Sequence, residues 1–343
     1  IECINSPEWS DLDVRVLSFP EFCYFPPIIE TFESMFINNC DLSTNNSLGE
    51  ITQTLGITSV IKLVFQLHKK LNKLKHHLEH YFENLKSLSL TNNNVSYADK
   101  DLLAGLVNLT NLNLRDNNLH QVTGFFNYTP KLRLLELSDN ALQSIEPGTF
   151  DNLKNLLILN LSVNHLTEPR SGIFDELVAL RELDLNTNDM VRLPEDIFAK
   201  LENLDVLNLS RNNFTNLPKN LLQNNTKLRN FTLFDNKRNM TTLPDAFFAN
   251  LAKLEVLELK RNGFVTLPED LFWGCTSLIN INLERNYLRT LPKYIFWDLK
   301  ELKILKLNFN NLGNLHNLIF RDTEHLVKID LSKNRITSIS KYV

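Results

Sequence analysis

The sequence predicts an α/β solenoid: a curved horseshoe with a parallel β-sheet on its concave wall, built from about 13 repeats behind an N-terminal cap. Three observations predict it. The line L-x-x-L-x-L-x-x-N-x-L returns with its first leucine at Leu85, Leu109, Leu132, Leu156, Leu180, Leu204, Leu228, Leu254, Leu278, Leu302 and Leu326; the interval is 24 residues except for one of 23 and one of 26. An asparagine follows each of these leucines by 8 residues, from Asn93 to Asn334. A second line, F-x-x-L-x-x-L, runs into the next repeat at Phe150, Phe174, Phe198, Phe248 and Phe296.

Each part of one repeat has a physical reason, and the pattern is that of a leucine-rich repeat. In the repeat of Leu204, the alternation of Leu207 and Leu209 sends both into the core from a short strand, while Val206, Asn208 and Ser210 face the concave side. The chain then turns, and Asn212 sits where backbone groups have no strand partner. A buried asparagine carries both donors and an acceptor, so it can satisfy them. Stacked repeats thus predict an asparagine ladder. Leu-Pro pairs such as Leu193-Pro194 and Leu267-Pro268 open the return segment, and its phenylalanine forms a second buried row. No repeat can cover its own apolar face, so neighbours must stack.

In chain order, residues 1–30 read as the cap, 31–84 as two degenerate repeats, and 85–343 as eleven regular ones. Phe32, Met35, Ile37, Cys40 and Leu42 fit the first degenerate repeat; Val60, Leu63, Phe65 and His68 fit the second. Between Gln66 and Asn84, leucines at helical spacing with interleaved Lys and His predict a short convex helix with a solvated basic face. A docking patch, a pH sensor and a metal site from His76, His77 and His80 are weaker readings. Two extra residues between Asn236 and Met240 predict a small flank loop. Phe234 and Phe309 are expected on the concave side, either as binding anchors or packed over a polar neighbour. The last repeat stops at Val343 without F-x-x-L or a cysteine cap, as expected of a fragment.

Composition narrows the function classes. The formal net charge is -4, so no basic stripe points to nucleic acid. No apolar run reaches a membrane span, and the absent signal peptide suits a chain that begins after its removal. No phosphate loop, dinucleotide fingerprint or nucleophile elbow is present, so no enzyme, metal or cofactor is expected. Glu182 and Asp184 read as a solvated strand surface. Of the four cysteines, Cys275 and Cys40 fill repeat slots as buried thiols. Cys3 and Cys23 are left to close a cap loop, with Cys23–Cys40 as the rival pairing.

Glycosylation acceptors occur at Asn45, Asn94, Asn108, Asn127, Asn160, Asn208, Asn213, Asn224, Asn230 and Asn239, although the repeat is itself rich in Asn, Ser and Thr. They favour a secreted or cell-surface chain. Asn160, Asn208 and Asn230 fall on the concave wall, where glycans would shield its middle and direct a ligand to the N-terminal end, the flank or beyond Val256.

The cysteine-poor cap, the degenerate repeats around Met35 and Leu63, the string NLDVLNLSRNNFTN at 203–216 and LPEDLFWGC at 267–275 resemble the N-terminal part of an insect Toll receptor ectodomain. The resemblance spans nearly the whole chain. It implies an innate-immune or developmental receptor on the extracellular side of the plasma membrane. It also implies a cystine-knot cytokine ligand of the Spätzle type, signalling through ligand-induced receptor association, and membrane attachment only through a segment absent from this chain. Strand geometry then puts Lys62, Val64, Ser87, Ser89, Asn111, Asn113, Leu134 and Glu136 on the N-terminal binding wall. The alternatives are a secreted or cell-surface adhesion or matrix repeat protein and, less well matched, an intracellular inhibitor with longer helical repeats.

Overall fold

The structure is a computed structural model that describes residues 14–18, 31–38, 59–66, 73–74, 82–236 and 240–338. It divides into two compact units, Ile1–His165 and Leu166–Val343. The first contains β1 (Val14–Ser18), β2 (Thr31–Asn38), β3 (Ser59–Gln66), β4 (Lys73–Leu74), β5 (Ser87–Ser89), β6 (Tyr97–Ala98), β7 (Asn111–Asn113), β8 (Leu134–Glu136) and β9 (Ile158–Asn160). The second contains β10 (Glu182–Asp184), β11 (Val206–Asn208), β12 (Asn230–Thr232), β13 (Val256–Glu258), β14 (Asn280–Asn282), β15 (Ile304–Lys306) and β16 (Lys328–Asp330). In each unit the sheet is parallel and follows chain order, so the architecture is the expected solenoid of stacked coils.

Register carries the repeat into space. Met35 pairs with Leu63, Leu63 with Leu88, Leu88 with Leu112 and Leu112 with Leu135, so both degenerate repeats stack in line with the regular ones. In the second unit Leu183, Leu207, Phe231, Leu257, Ile281, Leu305 and Ile329 form the equivalent row. A further strand, β1, pairs with β2 and brings sheet into the stretch read as cap. Leu207 and Leu209 are fully buried. Truncating such a leucine to alanine typically costs about 2–5 kcal/mol through the cavity left behind.

The asparagine ladder forms as the side-chain inventory requires. In the first unit Asn140 Nδ2 donates to Leu114 O at 3.0 Å and Leu137 O at 3.1 Å, and its Oδ1 accepts Leu119 N at 3.0 Å. In the second unit Asn212 repeats this on Leu185 O, Leu209 O and Met190 N. At the 26-residue repeat the pattern changes: Asn236 Oδ1 accepts Asn212 N, and Asn236 Nδ2 donates to Asn262 Oδ1 at 3.3 Å. The two extra residues fall in the stretch 236–240, of which 237–239 lie outside the described residues.

The residue just before each ladder asparagine adopts a left-handed backbone: Asn92, Asp116, Asp139, Val163, Thr187, Arg211, Asp235, Arg261, Arg285, Phe309 and Lys333 all have φ between 52° and 59°. None is glycine, and the two β-branched members, Val163 and Thr187, carry the most strain. The turn is imposed by the ladder and the sheet on whatever residue occupies that slot.

Return segments are turns, with no helix among the described residues. The expected helix over Gln66–Asn84 gives way at Lys73–Leu74 to β4, which pairs in parallel with Tyr97–Ala98. Helical leucine spacing there is overridden by a backbone partner from the next repeat. The histidines at 68, 76, 77 and 80, and Cys3, Cys23 and Cys40, lie outside the described residues. No helix among the described residues is long and apolar enough to cross a membrane.

The phenylalanine row stacks ring on ring: Phe126–Phe150 at 6.0 Å in the first unit, and Phe174–Phe198, Phe248–Phe272, Phe272–Phe296 and Phe296–Phe320 at 5.9–6.4 Å in the second. Leu222 interrupts the row, and there the strand residue Phe231 meets Phe248 edge-on at 5.2 Å. Three residues beyond the row, most repeats place leucine. Cys275 takes this slot, fully buried, with its thiol 3.0 Å from Phe248 O and its pKa pushed up to about 12 by burial. Asn225 takes it two repeats earlier in the same manner, donating to Phe198 O and Leu201 O.

Candidate ligand-binding face

The eight residues expected on the N-terminal wall fall into two straight rows across four neighbouring strands. Lys62, Ser87, Asn111 and Leu134 pair in register along one; Val64, Ser89, Asn113 and Glu136 along the other. Between them runs the buried row of Leu63, Leu88, Leu112 and Leu135. The alternation leaves seven of the eight half-buried and Asn111 exposed. The face is therefore mostly polar and backed by a buried leucine row.

Its polar groups differ in how far they are committed. Glu136 Oε1 accepts Ser138 N and its Oε2 accepts Asn160 Nδ2, both at 3.1 Å. Asn113 Oδ1 accepts Arg115 N at 2.9 Å, and the hydroxyls of Ser89 and Thr91 are 2.9 Å apart. Burial lowers the Lys62 pKa below the ordinary lysine value, because desolvation disfavours the ammonium. Lys62 and Glu136 thus give the face one cation and one anion on opposite strands and opposite rows.

The acceptor asparagines sort by exposure. Asn94, Asn127 and Asn224 are exposed; Asn108, Asn160, Asn208, Asn213 and Asn230 are half-buried. Several of the latter use their amides internally: Asn108 Nδ2 donates to Glu83 O at 2.9 Å and Asn160 Nδ2 to Glu136. A glycan on Asn160 would take one of its two amide N–H groups and crowd the bond to Glu136. Asn45 and Asn239 lie outside the described residues.

Phe234 and Phe309 do not stand bare on the sheet face. Phe234 is half-buried between Arg211 at 5.5 Å and Lys260 at 5.0 Å from the ring centroid, and Phe309 lies under Arg285 at 4.6 Å. Both are cation platforms within the fold. Glu182 and Asp184 sit on a solvated strand, and Asp184 Oδ1 accepts Asn186 N at 2.9 Å. Among the described residues no group of His, Cys, Asp and Glu is arranged to hold a metal. The sequence reading passed over a groove between three return segments that contains Trp273 and Trp297. The signal was legible: the position after the row phenylalanine, polar or alanine in other repeats, is tryptophan twice in succession.

Comparison with known proteins agrees with this geometry. The leucine rich repeat family matches residues 130–190, 179–237, 238–288 and 254–312. No curated protein matches the chain in sequence. Among solved structures, Toll in complex with Spatzle, a molecular hub in Drosophila development and innate immunity, superposes with a TM-score of 0.71 at 26% identity over 90% of this chain and 44% of that one. Its glycosylated form gives 0.72 at 25% identity, over 92% of this chain and 46% of that one. TLR13 in complex with ssRNA13 gives 0.68 at 24% identity, over 89% of this chain and 51% of that one. This chain spans less than half the length of the Toll chains it matches. Repeat register, ladder and family match agree: the chain belongs to the leucine-rich repeat family, and its fold is that of a Toll-like ectodomain.

Proposed function

We propose that the chain is the ligand-binding part of a Toll-type receptor, and that the face formed by β3, β5, β7 and β8 receives a cystine-knot cytokine of the Spätzle type. The observation that carries this reading is the pair of in-register rows from Lys62 to Leu134 and from Val64 to Glu136, which offer a continuous polar surface on a rigid sheet. The likeness to Toll solved with Spatzle supports it. The formal net charge of -4 supports a protein ligand over a polyanion, since phosphate neutralisation dominates nucleic-acid affinity. Ten acceptor asparagines support an extracellular setting, with the membrane reached through a segment outside this chain and signalling through ligand-induced association of two receptors.

The test is surface plasmon resonance against a Spätzle-type cytokine. Lys62→Glu and Asn111→Arg are expected to weaken binding about tenfold or more while the circular dichroism spectrum is unchanged, as for central interface residues worth about 1.4 kcal/mol each. Asn111 is the cleaner probe because it is exposed; reversal at Glu136 also disturbs Ser138 and Asn160. Unchanged affinity for both variants would remove the ligand from this face.

A further inference from the structure

The second unit carries a further surface on its return segments. The return segments at 245–250, 269–274 and 293–298 enclose a groove of about 590 Å³, lined by Trp273, Tyr294 and Trp297 together with the carboxylates of Asp245, Glu269 and Asp298. Trp273 is 70% exposed and Trp297 40%. In the other repeats the slot after the row residue holds Asn127, Asp151, Asp175, Ala199, Gln223, Ala249 or Arg321. A tryptophan in that slot lies outside the buried phenylalanine row: Trp273 is largely in solvent, and Trp297 packs beside Tyr294 at 4.2 Å between ring centroids.

The backbone of these three segments follows one pattern. Asn250, Gly274 and Asp298, each two residues past the row phenylalanine, all have positive φ, at 66°, 77° and 62°. Adjacent segments are tied by Phe248 N to Leu271 O at 3.3 Å and Asn250 N to Trp273 O at 2.7 Å. Gly274 permits this close approach: a Cβ there would lie 2.9 Å from Asn250 Oδ1 and 3.2 Å from Asn250 Cα. Asp270 Oδ1 is fixed by Ala246 N at 3.0 Å. The groove is thus braced before any partner arrives.

Its chemistry selects for cations. Indole faces attract guanidinium and ammonium groups, and the four acidic side chains around them supply the countercharge. The chain's own cations already use two of these rings: Arg321 lies 5.5 Å from the Trp297 centroid and Lys293 lies 4.5 Å from that of Tyr294. We propose that the groove docks an arginine-bearing segment of a partner protein, with the guanidinium stacked on Trp273 and paired with Glu269 or Asp245. Arginine suits the site better than lysine because its planar fork stacks and bonds at once. The volume falls in the range of sites that hold a few side chains. This inference is independent of the cytokine face.

The test uses this whole chain and a labelled heptapeptide of alternating alanine and arginine, read by fluorescence polarisation at physiological salt. The matching citrulline peptide, neutral and nearly isosteric, is the comparison, and phosphatidylcholine vesicles form a third arm. The proposal expects the arginine peptide to bind at least about tenfold more tightly than the citrulline peptide. Trp273→Ala should abolish that difference and Glu269→Gln reduce it, with thermal melting unchanged because both side chains are exposed. Equal binding of the two peptides, or an arginine preference that survives Trp273→Ala, overturns it. Vesicle binding that depends on Trp273 without an arginine preference also overturns it and assigns the groove to a lipid headgroup.

Discussion

Removing one rung of the asparagine ladder should cost far more than its size suggests. Asn212 is 1% exposed. Its Nδ2 donates to Leu185 O at 3.0 Å, Leu209 O at 3.2 Å and Ser210 O at 3.1 Å, and its Oδ1 accepts Met190 N at 3.2 Å. In Asn212→Ala, Ser210 O keeps a partner in Thr187 N at 2.9 Å, and Leu185 O keeps Asn188 Nδ2 at 3.1 Å. Leu209 O and Met190 N lose the side chain that satisfied them. At about 1–3 kcal/mol for each buried group left unpaired, the loss is roughly 2 kcal/mol at the lower end. Urea unfolding followed by circular dichroism reads it as a lowered midpoint. Asn208→Ala, on the half-buried open face, loses only the bond from Ser210 N to its Oδ1 at 3.2 Å and, as the comparison, should lower stability by about 1 kcal/mol. Because repeats couple mainly to their neighbours, the m-value must be compared as well, since a drop would report local unfolding. A loss below about 1 kcal/mol for Asn212→Ala at unchanged m would refute the claim that the ladder satisfies buried backbone.

Val163→Asn should stabilise by about 1 kcal/mol in the same assay, because a β-branched residue at φ 54° is replaced by one that tolerates the left-handed region, and Val163 is 41% exposed. Gly274→Ala should destabilise by roughly 1–3 kcal/mol from positive φ and the clash with Asn250, read by thermal melting. Cys275 should resist a thiol reagent in the native chain and react once urea unfolds it, since its pKa of about 12 leaves almost no thiolate. The sign of its pH linkage follows. The folded pKa lies above the ordinary 9.0, so the favoured neutral thiol contributes fully below pH 9 and that contribution is lost as pH rises toward 12. The difference in stability between native and Cys275→Ala chains should therefore shrink over that window; a constant difference would argue against burial as the cause.

The repeat was legible because its physics is local and periodic. Leu207, Leu209 and Asn212 each announce a burial state by position alone, and ten further copies confirm the reading. The left-handed turn was hidden because its slot is filled by Asp, Arg, Asn, Val, Thr, Phe and Lys, none of which signals positive φ the way glycine does. Phe234 and Phe309 were expected on the strands, but Phe234 lies two residues past β12 and Phe309 occupies the left-handed turn slot after β15; their cationic covers come from neighbouring repeats, and one repeat's sequence does not name its neighbour's rotamer. The helix expected over 66–84 failed at Lys73–Leu74 for a related reason: leucine spacing describes one segment, whereas β4 exists because Tyr97–Ala98 offers it a partner. The candidate ligand face was legible in its membership, since period 2 sets which side chains face out, but not in its hydrogen bonds. That Glu136 is held by Asn160, itself a glycosylation acceptor, emerges only when adjacent strands are in register.

That last contact bears on how a solenoid divides stability from recognition. Ladder and phenylalanine row lie on the inner side of each coil, so open-face substitutions leave the stacking groups alone, and the face is free to vary. Glu136 and Asn160 limit that freedom, because one carboxylate joins two strands through an amide that a sugar would leave with a single N–H to donate. Glu258 and Asn282 make the same carboxylate–amide bridge, at 2.7 Å, between β13 and β14 in the second unit. Asn282 is not a glycosylation acceptor, since Glu284 follows where Ser or Thr would be needed. The two bridges therefore form an internal control. Deglycosylation should alter pairing at β8–β9 and leave β13–β14 as it is, which amide hydrogen exchange can read. No change at β8–β9, or a change no larger than at β13–β14, would refute a sugar on the Asn160 amide as a limit on this face.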